Sequence, residues 1–267
     1  MTIHRTLAIV LRQAYLLRGS PARVLPLFAW VAVDIVLWGF ITRYLNAVSG
    51  SRVDFVVTML GAVLLWDFFT RVMQGVTMAF FEDVWSRNFL NFFATPLSTS
   101  EYVCGLVVTS IVTSLVGLVV MIVLASAVFH LSFFVYGLPL AAFLAVLFLF
   151  GIALGVFANA MVLRLGPAFE WFVWPIPAIL SPFAGVFYPV ATLPAWMQAI
   201  AHLLPPTYVF EGMRAIVAGG SVSMAALFSG IGLAILYIFL AGAFFARTYR
   251  HALRTGLIAR YSAETLS

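Results

Sequence analysis

The stretch GLPLAAFLAVLFLFGIALGVFANAMVL, residues 137–163, decides the fold class of this chain. It contains no charged residue and is followed directly by Arg164. A helix needs about 20 consecutive apolar residues to cross the hydrocarbon core of a bilayer, and this stretch is longer than that. Gly151 and Gly155 within it form a GxxxG pattern, which lets another helix approach closely. We therefore predict a membrane-spanning helix over residues 137–163.

The composition extends this interpretation to the rest of the chain. Hydrophobic residues make up 64% of the 267 positions and charged residues 9%, whereas soluble proteins have roughly 45–50% and 25%. All 14 basic residues are arginine. Without lysine the chain cannot provide a P-loop ATPase site or Schiff-base chemistry. The single cysteine, Cys104, cannot form an internal disulfide.

Six stretches are predicted to span the membrane, and together they make one all-α transmembrane domain over residues 1–267. The predicted spans are 24–42, 55–81, 102–129, 137–163, a fifth that begins near Glu170, and 225–246. Residues 3–17 are predicted to form an amphipathic helix on the membrane surface, with Arg5 and Arg12 seven residues apart on one face. The predicted domain thus has three parts: the segment with this amphipathic helix, 1–23, a six-span bundle, 24–246, and a cytoplasmic tail, 247–267.

The distribution of arginine orients this bundle. Six spans place both termini on one side, and Arg71 lies within the second span. If that side is inside, the inner segments hold Arg5, Arg12, Arg18, Arg23, Arg87, Arg164, Arg247, Arg250, Arg254 and Arg260, and the outer segments hold Arg43, Arg52 and Arg214. Arginine accumulates on the cytoplasmic side of membrane proteins. The ratio of ten to three therefore predicts cytoplasmic termini in a bacterial cytoplasmic (inner) membrane.

Three charged residues, Asp34, Asp67 and Arg71, lie within predicted spans. Each costs about 2.5–3.5 kcal/mol on insertion scales, so each needs a partner or a function. Asp34 and Arg71 share a similar depth and could pair between helices, while Asp67 and Arg71 lie one turn apart on one helix. The cluster is therefore either a structural ion pair or a polar patch in a translocation path or proton relay, unless Arg71 simply extends towards the membrane surface.

The segment between the second and third predicted spans, residues 82–93, is amphipathic. Three polar residues recur every fourth position, and they are Asp83, Arg87 and Asn91. This spacing predicts a short helix on the cytoplasmic face with a polar stripe available to a soluble partner; an interfacial helix without a partner is the alternative. Ser98 and Glu101 then form a capping-box pattern, which predicts the start of the third span.

Prolines interrupt the fifth apolar stretch, at Pro175, Pro177, Pro182, Pro189 and Pro194. Proline removes a backbone donor and disturbs the helix around it, and lipid cannot satisfy the polar groups that are released. We therefore expect a kinked span followed by short re-entrant or interfacial helices on the outer side, packed against protein. A kinked helix with a long loop is the alternative. In either case Trp196 is expected at the level of the headgroups.

Signals for catalysis are weak. The four histidines show no metal-ligand spacing, and neither H-E-x-x-H nor G-x-S-x-G occurs. We predict no catalytic residue, metal site or cofactor in this chain, and no binding of nucleic acid.

Two parts of the sequence resemble a known family. The first is 82–105, with TPLS at 95–98 and Glu101-Tyr102; the second is SPFAGVFYP at 181–189, continuing through LPAW at 193–196 to LPPTYVFEGMR at 204–214. The order and spacing of these motifs resemble the membrane (permease) subunits of type-2 ATP-binding-cassette (ABC) exporters. The resemblance covers essentially the whole chain.

The resemblance implies a fold with six spans, an N-terminal interfacial helix, a cytoplasmic coupling helix after the second span and re-entrant helices after the fifth. It assigns the coupling helix to Glu82, Asp83, Arg87, Asn91 and Pro96. It assigns the re-entrant segment to Pro182, Gly185, Pro189, Pro194, Trp196, Glu211 and Arg214. Where the family usually carries Gly-Thr-Leu-Glu, this chain has RNFLN at 87–91, so the details of docking differ.

The resemblance also implies partners. Two copies of an ABC ATPase subunit would bind ATP and Mg, and two permease copies, as a homodimer or a heterodimer, would enclose the path through the membrane. The cargo would be a hydrophobic or lipid-linked drug, lipid or polysaccharide. The alternative function is a proton-coupled secondary transporter that uses Asp34 or Asp67, although the twofold repeat typical of such proteins is not evident.

Overall fold

The computed structural model describes residues 3–19, 21–49, 56–85, 95 and 97–255. Within these ranges the chain is helical and has no β-strand. The α-helices are α1 (Ile3–Arg18), α2 (Pro21–Ser49), α3 (Gly61–Trp85), α4 (Thr99–Phe129), α5 (Pro139–Leu165), α6 (Glu170–Val173), α7 (Ile176–Leu180), α8 (Ala195–Ala201), α9 (Pro205–Val217) and α10 (Met224–Thr255). A π-helical turn, Val56–Leu60, precedes α3, and 3-10 turns lie at Phe133–Tyr136, Pro167–Phe169 and Val190–Thr192.

Four helical stretches in the described residues are long and apolar enough to cross a membrane. They are Val56–Val84, Ser100–Phe129, Pro139–Leu165 and Met224–Thr255, which correspond to the predicted second, third, fourth and sixth spans. Helix α2, with 29 residues, contains the predicted first span. The predicted fifth span is broken into α6 and α7. The architecture agrees with an all-α membrane protein, and the number of six spans stays a prediction.

The capping box predicted at the start of the third span is present. The Ser98 hydroxyl accepts a hydrogen bond from the Glu101 backbone N–H at 3.3 Å, and the Ser98 N–H donates to the Glu101 carboxylate at 3.0 Å. These reciprocal bonds satisfy donors that a helix start otherwise leaves unpaired. Helix α4 ends at Phe129 and is capped by His130, whose φ of 55° is left-handed.

Helices α3 and α5 approach each other along the GxxxG pattern. A Cβ atom added to Gly151 would lie 2.9 Å from Val72 Cβ, and one added to Gly155 would lie 2.8 Å from Val76 Cβ and 2.9 Å from the Met73 carbonyl oxygen. Real Cβ atoms do not approach other atoms this closely. The interpretation of this pattern as a packing motif is therefore confirmed.

Helix α3 is also held against α4. The Ser110 hydroxyl donates to the Val72 carbonyl at 2.8 Å, and a Cβ added to Gly75 would lie 2.6 Å from that hydroxyl oxygen. On the α5 side, the Asn159 side chain donates to the Val76 carbonyl at 3.3 Å. Helix α3 is thus the middle member of a three-helix core made of α3, α4 and α5, and α10 packs along α5.

Tyr136 fixes the start of this core at the end remote from α1. It is buried, and its hydroxyl donates to the Val57 carbonyl at 2.6 Å, within the π-helical turn. The same hydroxyl fills the place where Gly61 would carry a Cβ atom. A π-helical turn leaves backbone groups out of the α-helical pattern, and here a tyrosine satisfies one of them.

The helix that contains the sixth predicted span extends beyond the end of that span. Helix α10 continues from residue 246 to Thr255, so the first part of the predicted tail, including Arg247, Arg250 and Arg254, is helical. Arginine favours helix formation, and a helix can therefore continue beyond the apolar stretch that crosses the membrane. Residues 256–267 lie outside the described residues.

Candidate functional site

A group of charged and polar side chains joins α1 to the adjacent ends of α3 and α4. Arg12 Nη1 lies 2.5 Å from Asp83 Oδ1, and the Tyr102 hydroxyl donates to Asp83 Oδ2 at 2.7 Å. The side chain of Asp83 is fully buried, with 0% of its surface exposed. Removing one partner from a buried ion pair leaves the other charge uncompensated and costs about 3–5 kcal/mol. Arg12 and Asp83 therefore depend on each other.

A second set of contacts places α1 along α4. Arg5 Nη1 lies 3.7 Å from Glu101 Oε2, so the carboxylate of the capping box also faces α1. Ile9 packs where Gly105 has no side chain: a Cβ on this glycine would lie 2.6 Å from Ile9 Cβ. We call Arg5, Arg12, Asp83, Glu101 and Tyr102 the N-terminal cluster.

Helix α1 presents its arginine face to the protein. Arg5 and Arg12 share one face, as predicted, and that face lies against Glu101 and Asp83. Four large apolar or aromatic side chains are exposed at every fourth position, and they are Ile3, Leu7, Leu11 and Tyr15. The apolar face of this helix is therefore the one available to lipid.

The structure corrects part of the predicted coupling stripe. Glu82 and Asp83 belong to the last turn of α3, not to a separate amphipathic helix, and Asp83 is buried against Arg12. Asp83 is thus not on a surface available to a soluble partner. The sequence pattern could not reveal this because Arg12 is far away along the chain. Of the other residues assigned to coupling, Arg87, Asn91 and Pro96 lie outside the described residues.

The charged residues within the spans form an ion pair inside one helix. Arg71 Nε lies 2.9 Å from Asp67 Oδ2, and the two side chains are 13% and 17% exposed. In the ranges that the structure describes, Asp34 has no salt bridge to Arg71, although it lies within electrostatic range of both residues. The predicted pairing within α3 is confirmed. The interhelical salt bridge with Asp34 is not formed in the described part of the chain, where Arg71 Nε is paired with Asp67 instead.

Residues 181–217, which we call the proline-rich segment, fold at the end of α3 that carries Trp66, whereas Val173 before them packs near Ile9 at the α1 end. Within it, Glu211 Oε1 accepts hydrogen bonds from the Val190 backbone N–H at 2.7 Å and from Arg214 Nη2 at 2.8 Å. Arg214 Nη1 also donates to the Val186 carbonyl at 3.4 Å. Two motifs of the sequence that are about 20 residues apart therefore meet at one carboxylate.

Gly185 lies next to the guanidinium group of Arg214. Its φ is +62°, which favours glycine, and an added Cβ atom would lie 2.9 Å from Val190 Cγ2 and 3.5 Å from Arg214 Nη2. We call Gly185, Val190, Glu211 and Arg214 the hairpin cluster. It joins the turn after α7 to α9.

The remaining residues of the predicted re-entrant segment line its turns. The Pro182 carbonyl accepts from the Tyr188 hydroxyl at 2.9 Å, and the Pro189 carbonyl accepts from the Thr192 hydroxyl at 2.7 Å. Pro194 immediately precedes α8. Trp196 on α8 is 62% exposed, so its side chain is accessible, as an interfacial tryptophan requires; its depth in the membrane stays a prediction.

Protein, not lipid, supports one side of the proline-rich segment. Phe187 stacks on Trp38 of α2 with ring centroids 5.3 Å apart, and Phe210 contacts Trp66 of α3 at 5.9 Å. The Tyr237 hydroxyl of α10 donates to the Leu203 carbonyl at 3.2 Å. Sequence reasoning missed Trp38, Trp66 and Tyr237, since nothing in their local pattern indicates a partner elsewhere in the chain.

No group of three or more metal-ligating side chains occurs among the residues that the structure describes. The salt bridges described above fall into three sets. These are the N-terminal cluster at one end of α3, the Asp67–Arg71 pair within it and the hairpin cluster at the other end. Each set consists of ion pairs and hydrogen bonds, which can hold helices together or separate as they move.

Comparison with known proteins relates this arrangement to a family of transport proteins. Residues 10–218 match the family described as ABC-2 type transporter. The protein called inner membrane transport permease YadH of Escherichia coli strain K12 is 28% identical over 170 residues, which is 61% of this chain and 62% of the relative. The protein of the same name in Shigella flexneri gives the same values. The chain thus spans about 62% of the length of these curated relatives.

Proposed function

Because the chain belongs to the ABC-2 type transporter family, we propose that it is the membrane-spanning permease subunit of an ABC exporter. In this proposal two copies of the chain, or one copy and a related permease, enclose a path across a bacterial inner membrane. Both termini lie in the cytoplasm. The cargo is hydrophobic or lipid-linked, such as a drug, a lipid or a polysaccharide precursor.

The energy comes from a separate subunit. This chain has no lysine and hence no P-loop of its own. Two copies of an ABC ATPase bind ATP and Mg, close on each other and press on the proposed coupling segment around residues 82–91. The spans then move as rigid bodies and open the path outwards.

One observation carries this proposal: the family match covers both ends of α3. It includes Arg12 and Asp83 at one end and the hairpin cluster at the other end. The three-helix core connects these two ends. A force applied at the first end can therefore reach the second through a packed helix.

Co-purification with an ATPase tests the proposal. The chain, carrying an affinity tag, is expressed with the ABC ATPase encoded nearby and reconstituted into lipid vesicles. We expect a stable complex that hydrolyses ATP and moves a fluorescent lipid probe between leaflets only when ATP is present. A complex with an inactivated ATPase is the control. Transport by the chain alone, or purified complexes that never contain a nucleotide hydrolase, would contradict the proposal.

A proton-coupled secondary transporter is the second candidate, and Asp34 favours it. In the described part of the chain this carboxyl group forms no salt bridge, although it lies in a predicted span. A carrier of this kind would respond to a pH gradient, would not need ATP, and would lose transport in Asp34→Asn. Transport that persists after the gradient is dissipated with an ionophore, and stops without ATP, excludes this candidate.

A further inference from the structure

Helix α10 is longer than a membrane crossing requires. Its 32 residues correspond to a length of about 48 Å, whereas the hydrocarbon core of a bilayer is about 30 Å thick. The helix contains no acidic residue, and its three arginines, Arg247, Arg250 and Arg254, all lie close to its C-terminal end. That end therefore projects from the hydrocarbon core into the headgroup layer of the membrane.

The C-terminal end of α10 is held against the protein on one face. Thr248 and Ala252 are buried, and Ala252 belongs to the apolar cluster that includes Ile9 and Val173. The three arginines lie on the other side of the helix and are exposed. Because the packed face fixes the rotation of the helix, the arginines point away from the protein together.

The arginines continue a face of α10 that is apolar within the membrane. Leu236 and Leu240 are exposed on this face, and Arg247, Arg250 and Arg254 follow them at helical spacing. Leucine side chains match the acyl chains of lipids, and arginine side chains match the phosphates that lie just outside them. One face of the helix thus passes directly from the hydrocarbon core to the level of the phosphates.

Arg164 of α5 adds a fourth positive charge at the same level. The rings of α5 and α10 pair at Phe150–Tyr237, 5.3 Å apart, and again seven residues later at Phe157–Phe244, 5.4 Å apart. The two helices therefore run parallel, and the exposed Arg164, seven residues after Phe157, lies level with the arginines of α10.

We call Arg164, Arg247, Arg250 and Arg254 the basic ridge. Within the ranges that the structure describes, none of the four forms a salt bridge. Their charges are therefore available to an anionic ligand.

We propose that the basic ridge binds the phosphates of anionic phospholipids, such as phosphatidylglycerol, in the leaflet at this end of the bundle. Clusters of about four to eight basic residues beside a spanning helix attract anionic headgroups. A phospholipid also presents both parts that this face requires, since its chains can lie along Leu236 and Leu240 while its phosphate meets the arginines. A soluble acidic protein offers only the charge. The inference needs no ATPase partner and goes beyond the proposed function.

Energy transfer to labelled lipids tests this inference in the intact chain. A fluorescent donor is attached at Thr255→Cys in a Cys104→Ser background. The protein is reconstituted into phosphatidylcholine vesicles that contain a trace of acceptor-labelled phosphatidylglycerol or, in parallel, of acceptor-labelled phosphatidylcholine. We expect phosphatidylglycerol to be enriched around the donor, and Arg250→Gln to lower its relative affinity about fivefold. Arg43→Gln, which removes an exposed arginine of α2, is the matched control and should keep the wild-type preference.

The wild-type protein alone can decide against the inference. Equal transfer to both lipids would show that the ridge does not select anionic headgroups, whether or not any variant folds. A preference that does not weaken as sodium chloride is added would contradict an electrostatic contact at the membrane surface.

Two further outcomes would assign the ridge to another ligand. Displacement of phosphatidylglycerol by inorganic phosphate, beyond the effect of sodium chloride at the same ionic strength, would indicate a site for a soluble anion. If Arg250→Gln keeps the lipid preference but prevents association with an ATPase subunit, the ridge is a protein interface. Either result overturns the inference and leaves the proposed function standing, whereas a chain that never associates with an ATPase contradicts only the proposed function.

Discussion

Gly155 of α5 faces Val76 and the backbone of α3, with no room for a methyl group. Gly155→Ala must push the two helices apart, and overpacking of this kind costs about 1–3 kcal/mol. We expect a lower melting temperature of the protein in detergent, followed by the loss of its monodisperse peak on size-exclusion chromatography after heating.

Gly232→Ala in α10 is the matched control for this change. Nothing lies within 4 Å of a Cβ atom at Gly232, and alanine favours a helix over glycine by about 1 kcal/mol. The control should therefore melt at the same temperature as the wild type or higher. An unchanged melting temperature for Gly155→Ala would show that the helices are not in contact at this position.

The Asp67–Arg71 pair makes a second prediction at the residue scale. Arg71→Leu leaves the partly buried carboxylate of Asp67 without this partner, and an uncompensated charge in a span costs about 2.5–3.5 kcal/mol. We expect the yield of folded protein to fall strongly in Arg71→Leu and to recover in part when Asp67→Leu is added. Asp34→Leu should rescue Arg71→Leu less well; equal rescue by both would contradict the pairing within α3.

At the scale of elements, the hairpin cluster predicts how the proline-rich segment is held in place. Glu211→Ala removes the acceptor of both the Val190 N–H and Arg214, and hydrogen bonds to charged groups contribute about 1.5–3 kcal/mol each. We expect faster hydrogen exchange and earlier proteolytic cleavage between residues 181 and 193, with the spans unaffected.

Thr192→Val serves as the control in the same segment. Its hydroxyl donates to a carbonyl only three residues away and is exposed, so water can replace that bond. Cleavage in this variant should follow the wild-type time course. If Glu211→Ala and Thr192→Val behave alike, the carboxylate does not hold the turn after α7 to α9.

Local signals in the sequence predicted individual elements well. The start of α4 depends on Ser98 and Glu101, three residues apart, so its capping box could be read directly. The end of α10 could not, because the limit of an apolar stretch marks the membrane and not the last hydrogen bond of the helix. Prolines correctly indicated that the helix is broken in the predicted fifth span, since each proline removes a backbone donor wherever it lies.

Contacts between distant elements were beyond the reach of the sequence pattern. Asp83 shares a four-residue period with Arg87 and Asn91, which suggested one exposed stripe. Its actual partners, Arg12 and Tyr102, come from two other helices. Likewise the GxxxG of α5 indicated that a helix approaches, but not that the helix is α3. Resemblance to a family identified the hairpin motifs, and the structure shows how Glu211 joins them.

At the scale of the whole molecule, the two ends of the core are predicted to lie on opposite sides of the membrane. Cys104 is the only cysteine, so a Cys104→Ser background allows single cysteines to be placed at will. Arg18→Cys next to the N-terminal cluster and Gly220→Cys after α9 are both at exposed positions. In intact cells a membrane-impermeant maleimide should label only Gly220→Cys.

Inside-out membrane vesicles, which expose the cytoplasmic side to the reagent, provide the complementary measurement. There the same reagent should label Arg18→Cys, because the N-terminal end of an ABC permease is proposed to face the cytoplasm. Labelling of both positions from one side would place α1 and the proline-rich segment together and would reject the six-span topology.

The contact between α3 and α5 also restricts how this sequence can vary. Where two backbones touch at Gly151 and Gly155, a larger residue on one helix is acceptable only if its counterpart at Val72 or Val76 becomes smaller. In a library of random variants selected for function, changes at these positions should be recovered in pairs. Changes at exposed positions of α2 should be recovered singly. The effect of a substitution at the α3–α5 contact would therefore depend on the residue present on the facing helix.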